Sequence, residues 1–141
     1  MEVSTTRILV VDDYEPWRRF VSTTLQKRPK LQVVDEALDG LEAVQKAEQL
    51  QPDLILLNIG LPTLNGIQAA RRIRELSAKS KILFLSENRS GDIAEEALRT
   101  GASGYVVKSD APGELLPAVE AVLQGKQFVS ASLAANDLTD P

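Results

Sequence analysis

Residues 7–13 read RILVVDD, an apolar, β-branched run that stops abruptly on two adjacent aspartates, Asp12 and Asp13. Further runs of the same kind follow at Leu31–Val34, Leu54–Leu57, Ile82–Leu85 and Tyr105–Val107. Near-continuous apolarity, rather than alternation, suits strands covered on both faces, as in a parallel sheet. Helical periods lie between the runs. Trp17, Phe20, Val21 and Leu25 mark the first helix, Leu41, Val44, Ala47 and Leu50 the second, and Ile67, Ala70, Ile73 and Leu76 the third. Ile93, Ala94, Ala97 and Leu98 mark a fourth, and Leu115, Leu116, Val119, Val122 and Leu123 a fifth. Pro16 and Pro112 sit near helix starts, where a missing N–H costs little. Gly101 and Gly125 follow helical periods and read as residues just past a helix end.

Strands and helices in strict alternation predict an α/β fold with parallel strands joined by right-handed crossovers. Five strands are too few to close an eight-stranded barrel. The expectation is a doubly wound five-stranded parallel sheet of order 2-1-3-4-5, a flavodoxin-like three-layer sandwich. Its site should lie at the carboxyl ends of the strands, beside the switch point between the first and third. Val129–Pro141 (VSASLAANDLTDP) is small and polar without a strong period. The expected division is therefore a globular unit over 1–125 and a C-terminal linker or tail over 126–141.

A chain of 141 residues fits one domain and can bury a core without staples. There is no Cys and no His, which excludes disulfides, thiolate metal sites, an imidazole base and phosphohistidine. The longest apolar run is far too short to span a bilayer, and the opening MEVSTTR lacks a signal-peptide core, so a soluble cytoplasmic protein is expected. Net charge is −4, from 16 basic and 20 acidic residues, which argues against nucleic-acid binding by this segment. The one dense basic cluster, Arg71, Arg72 and Arg74, reads as a solvated helix face. That charge, with no apolar stripe beyond the core-facing sets, predicts a monomer or a weak homodimer.

The strand endings carry the chemistry. The first ends in Asp12-Asp13, the third in Asn58, the fourth in Ser86 and the fifth in Lys108. Taken singly, each has a plain alternative. The aspartates could cap the first helix, Ser commonly ends a strand, and a lone Lys is usually solvated. Together they converge on one pocket. Two adjacent carboxylates need a counter-charge, which a hard cation such as Mg²⁺ or the Lys108 ammonium supplies.

From residue 7 to about 125 the chain resembles a receiver domain of two-component response regulators. ILVVDD matches the acidic pair, and PDLILLNIGLPTLNG the third strand and its loop, with Pro62 and Gly66 in place. FLS matches the strand ending in a hydroxyl, and GASGYVVKSD the fifth strand with Tyr105 and Lys108. GASGYVVKSD followed by ELLPAVEAVLQGKQFVS is most similar to the NarL-like subfamily, whose members carry a LuxR-type DNA-binding helix-turn-helix after the receiver. The resemblance implies a non-enzymatic signalling module served by a sensor histidine kinase, with a LuxR-type domain following in a longer protein. It implies that Asp13 ligates Mg²⁺ directly, Asp12 through water, and the Gly60 carbonyl as a third ligand. Ser86 would hydrogen-bond a phosphoryl oxygen, Lys108 would pair with it, and Ser86 and Tyr105 would switch together. The face formed by the fourth helix, fifth strand and fifth helix would carry the output.

Asn58 departs from that pattern, standing where the family has its phosphoacceptor aspartate, which is also a metal ligand. An amide is neutral and a poor nucleophile, and it forms no mixed carboxyl–phosphate anhydride. Asn58 marks either a natural degenerate receiver or an introduced substitution; a third possibility is that Asp12 or Asp13 accepts phosphate instead. Glu87, after the hydroxyl position, also departs from the small residue usual there and would crowd an incoming phosphodonor. Two other functions compete. A flavin carrier shares the topology, but DDYEP would repel a flavin phosphate where N–H groups and hydroxyls are needed. A phosphatase with Asp12 as nucleophile resembles haloacid dehalogenases, yet adjacent aspartates point differently along an extended chain.

Overall fold

The computed structural model describes residues 4–133, so residues 134–141 of the C-terminal stretch lie outside the described residues. Elements run β1 Thr6–Val11, α1 Glu15–Leu25, β2 Leu31–Ala37, α2 Gly40–Leu50, β3 Leu54–Leu57 and α3 Gly66–Leu76. They continue β4 Lys81–Ser86, α4 Gly91–Leu98, β5 Gly104–Val107, a 3₁₀ turn Lys108–Asp110, α5 Ala111–Leu123 and β6 Phe128–Val129. The sheet order is β2-β1-β3-β4-β5-β6, and every pairing is parallel. The expected α/β architecture and the order of its first five strands are found.

The sheet has six strands rather than five, and this corrects the expected count. It also moves the end of the packed unit beyond residue 125. β6 pairs Gly104 with Phe128 and Tyr105 with Val129, and Leu133 is 1% exposed. A two-residue strand is too short to leave a period in the sequence. Its drive is tertiary, because β5 would otherwise present unpaired N–H and C=O groups at the sheet edge.

The strand residues divide by parity. Leu9, Val11, Ile55, Leu57, Ile82, Phe84, Tyr105 and Val107 belong to the core under α2, α3 and α4. Ile8, Val10, Leu54, Leu56, Leu83, Leu85 and Val106 belong to the core under α1 and α5. Successive side chains point to opposite faces and both faces are buried, so no alternation appears in the sequence. Among the described residues no helix is long and apolar enough to cross a membrane. Arg71, Arg72 and Arg74 are exposed on α3, as a solvated face requires.

Helix starts are fixed at the end of the sheet where the strands finish. Asp39 caps α2 through Glu42 N and Ser90 caps α4 through Ile93 N, while Asn65 and Gln68 form a capping box on α3. Gly66 packs so tightly under the β3–α3 loop that a Cβ there would collide with the Asn58 backbone carbonyl. Gly101 and Gly125 take left-handed φ of 93° and 84°, a conformation glycine adopts without steric cost.

Candidate functional site

Parallel strands all finish at one edge, so β1, β3, β4 and β5 deliver their last residues to a common opening. Asp12, Asp13, Asn58, Gly60, Ser86 and Lys108 line a single pocket of about 650 Å³ there. Tyr14, Ile59, Glu87 and Asn88 complete its wall.

Lys108 turns inward from the start of the 3₁₀ turn. Its Nζ lies 2.6 Å from Asp12 Oδ2, with side chains 11% and 2% exposed. The other Asp12 oxygen, Oδ1, accepts the Tyr14 N–H at 2.9 Å. Asp12 therefore does not cap α1, whose N-cap is Tyr14. The Lys108 ammonium also sits 4.9 Å from the centre of the Trp17 ring, and that ring stacks at a tilt on Phe20. A cation over an indole face gains from the ring quadrupole, more so when water is excluded. Charge and π-face thus hold the lysine from two sides.

Asn58 is 8% exposed, and its Nδ2 donates to the Gly60 carbonyl at 3.2 Å. A carboxylate at this position would set two acceptors against each other. The amide resolves that with its own N–H. Asp13 is exposed at the pocket mouth and has no side-chain hydrogen bond or ion pair among the described residues. Glu87 is also exposed.

Ser86 and Tyr105 meet at one residue. Ser86 Oγ accepts the Asn88 N–H at 3.0 Å, and the Tyr105 hydroxyl donates to the Asn88 carbonyl at 2.8 Å. Tyr105 is 0% exposed, with its ring turned in against Phe84. Burial pushes the Tyr105 phenol above its ordinary value of 10.0, with the Ser86 hydroxyl opposing the shift. Asn88 and the stacking of Trp17 on Lys108 were not singled out from sequence. Asn88 is one polar residue among several in a loop, and no spacing rule links position 17 to position 108.

The donors suit a hard cation only in part. Among the described residues no three carboxylates or other acidic and sulfur ligands gather as a metal cluster. Asp13 and the Gly60 carbonyl have the right oxygen chemistry, while Asp12 is committed to Lys108.

Residues 8–120 match the response regulator receiver domain. The nitrate/nitrite response regulator NarL of Escherichia coli K12 is 34% identical over 126 residues, covering 89% of this chain and 58% of that protein. The transcriptional regulatory protein DegU of Brevibacillus brevis is 33% identical over 130 residues, covering 92% of this chain and 55% of that protein. The chain thus spans little more than half the length of these relatives. A two-component response regulator of the LuxR family from Aurantimonas sp. SI85-9A1 superposes with a TM-score of 0.89 at 37% identity, covering 94% of each chain. This chain belongs to the response regulator receiver domain family, in its NarL-like branch.

Proposed function

We propose that this chain is the receiver module of a transcription-controlling response regulator in which Asn58 stands at the phosphoacceptor position and keeps the domain unphosphorylated. The observation that carries the reading is the hydrogen bond from Asn58 Nδ2 to the Gly60 carbonyl, inside a pocket whose lysine is already paired with Asp12. The amide lone pair is delocalised, so it does not attack phosphorus, and its N–H already partners the Gly60 carbonyl, one of the oxygens that would hold a cation. Mg²⁺ would be held by Asp13 and the Gly60 carbonyl, and by Asp12 only so far as Lys108 releases it, more weakly than in a receiver with a third carboxylate, because hard cations follow ligand charge. When bound it would help neutralise a phosphoryl group's equatorial oxygens. Lys108 and Ser86 are the residues that would meet the remaining oxygens.

The chain acts by binding rather than by catalysis. Its partners are a sensor histidine kinase and, in a longer protein, a C-terminal LuxR-type DNA-binding domain. It is a cytoplasmic monomer or weak homodimer that does not itself bind nucleic acid. Output runs through the face formed by α4, β5 and α5, with Ser86 and Tyr105 moving as a pair around Asn88. Mass spectrometry of the chain and of Asn58→Asp after acetyl phosphate or phosphoramidate treatment tests the reading. Phosphate should appear on the variant alone. Phosphate at residue 58 of the unaltered chain would overturn it, and an unmodified variant would implicate Glu87 in blocking donor access.

A further inference from the structure

We propose that residues 128–133 form a strap seated on the outer edge of β5, and that the turn Lys108–Asp110 couples this strap to the pocket. The coupling is a matter of geometry and holds whether or not residue 58 takes phosphate.

The strap begins as sheet and ends as side-chain bonding. Phe128 N donates to the Ser103 carbonyl at 3.1 Å, and Ser130 N to the Tyr105 carbonyl at 2.9 Å. The next ladder position is taken by a side chain, with Val107 N donating to Ser130 Oγ at 2.8 Å. Ser130 Oγ in turn donates to Glu114 Oε1 at 2.6 Å. The second oxygen of the same carboxylate accepts Ala131 N at 3.0 Å. Ser130 is 0% exposed, so this hydroxyl depends wholly on these partners. Beyond it, Leu133 joins the apolar cluster that contains Tyr105 and Val107. Such a segment is part of the domain rather than a solvated tail.

The turn supplies the link. Its three residues each hold a different element. Lys108 reaches Asp12 at the end of β1. Ser109 Oγ accepts Arg89 Nη2 from the β4–α4 loop at 2.8 Å. Asp110 Oδ2 accepts the Ser132 hydroxyl of the strap at 2.7 Å. A 3₁₀ turn of three residues has little slack, so a shift of Lys108 is felt at Asp110 and at Val107, which binds Ser130. The strap also covers the strand edge of the face assigned to output. A partner that pairs with β5 must therefore displace the strap, and release of the strap would expose unpaired β5 groups.

The test is amide hydrogen exchange on the full 141-residue chain, unaltered and as Glu114→Gln, Ser130→Ala and Lys108→Met. Losing the charge-assisted clasp in Glu114→Gln should speed exchange at Val107 and at 129–133 about tenfold or more, with β1 and β3 unchanged. Ser130→Ala should do the same. Lys108→Met should speed the strap amides more than those of β1 and β3. Strap protection that survives Glu114→Gln and Ser130→Ala would overturn the clasp. A Lys108→Met protein whose strap exchanges at the unaltered rate, or speeds up only in step with β1 and β3, would overturn the coupling.

Discussion

Replacing Asn58 by Asp should make the metal-free protein less stable and make its stability depend on Mg²⁺. Asn58 is 8% exposed and gives its amide N–H to the Gly60 carbonyl at 3.2 Å. The substitution removes that hydrogen bond, at about 1 kcal/mol, and leaves two oxygen acceptors facing each other. It also adds a carboxylate to the pocket that already buries Asp12. Two unit charges on the order of 5 Å apart repel by about 3 kcal/mol at an effective dielectric of 20. Lys108 offsets part of this, although its ammonium is already paired with Asp12 at 2.6 Å. The net expectation is a loss of about 2 kcal/mol without metal. Mg²⁺ at about a hundredfold excess over its dissociation constant would return about 2.7 kcal/mol. The Asn58 protein should gain far less. Urea unfolding, with and without Mg²⁺, can be followed by the fluorescence of Trp17, the single tryptophan of the chain. An Asn58→Asp protein that is as stable as the unaltered chain without metal, and indifferent to Mg²⁺, would refute the reasoning.

Lys108→Ala strips the counter-charge from Asp12, whose side chain is 2% exposed, and should cost about 3–5 kcal/mol; Asp12→Asn in the same chain should recover part of it in a double-mutant unfolding cycle, and a loss below about 1 kcal/mol would count against the pair. Tyr105 is neutral in the fold and its phenol is raised above 10.0 by burial, so its contribution is complete below the ordinary tyrosine value and is lost as pH rises through the elevated one. Stability measured against pH should therefore fall less steeply above about pH 10 in Tyr105→Phe, and identical alkaline slopes would contradict this. Gly66→Ala sets a Cβ against the Asn58 carbonyl and 2.8 Å from Ile59 Cα; it should cost about 1–3 kcal/mol although alanine is the better helix former, and a stabilised variant would disprove the close contact.

The residues that mark strand ends were readable in order along the chain. Each apolar run stops at a polar residue, and parallel strands joined by helices must all finish at the same edge. Asp12, Asp13, Asn58, Ser86 and Lys108 therefore belong to one place on the grounds of sequence alone, and they line one pocket. β6 could not, because Phe128–Val129 is a strand only by virtue of the edge beside it. The same holds for the strap, where Ser130 and Ser132 look like any small polar residues until Glu114 and Asp110 stand opposite them.

By itself, then, the sequence determined the layer order and the membership of the pocket, since these follow from periodicity and from the type of residue at each strand end, while the family rested on the resemblance of its motifs. Only the tertiary structure decided which groups inside the pocket are partners. Lys108 chooses Asp12 rather than Asp13, 96 positions away in the chain, while Trp17 closes over the same ammonium. Ser86 and Tyr105 both fasten Asn88. Hydrogen bonds and ion pairs depend on separations of a few tenths of an ångström and on burial. Those are set by how helices and strands pack, not by the order of residues along any one of them.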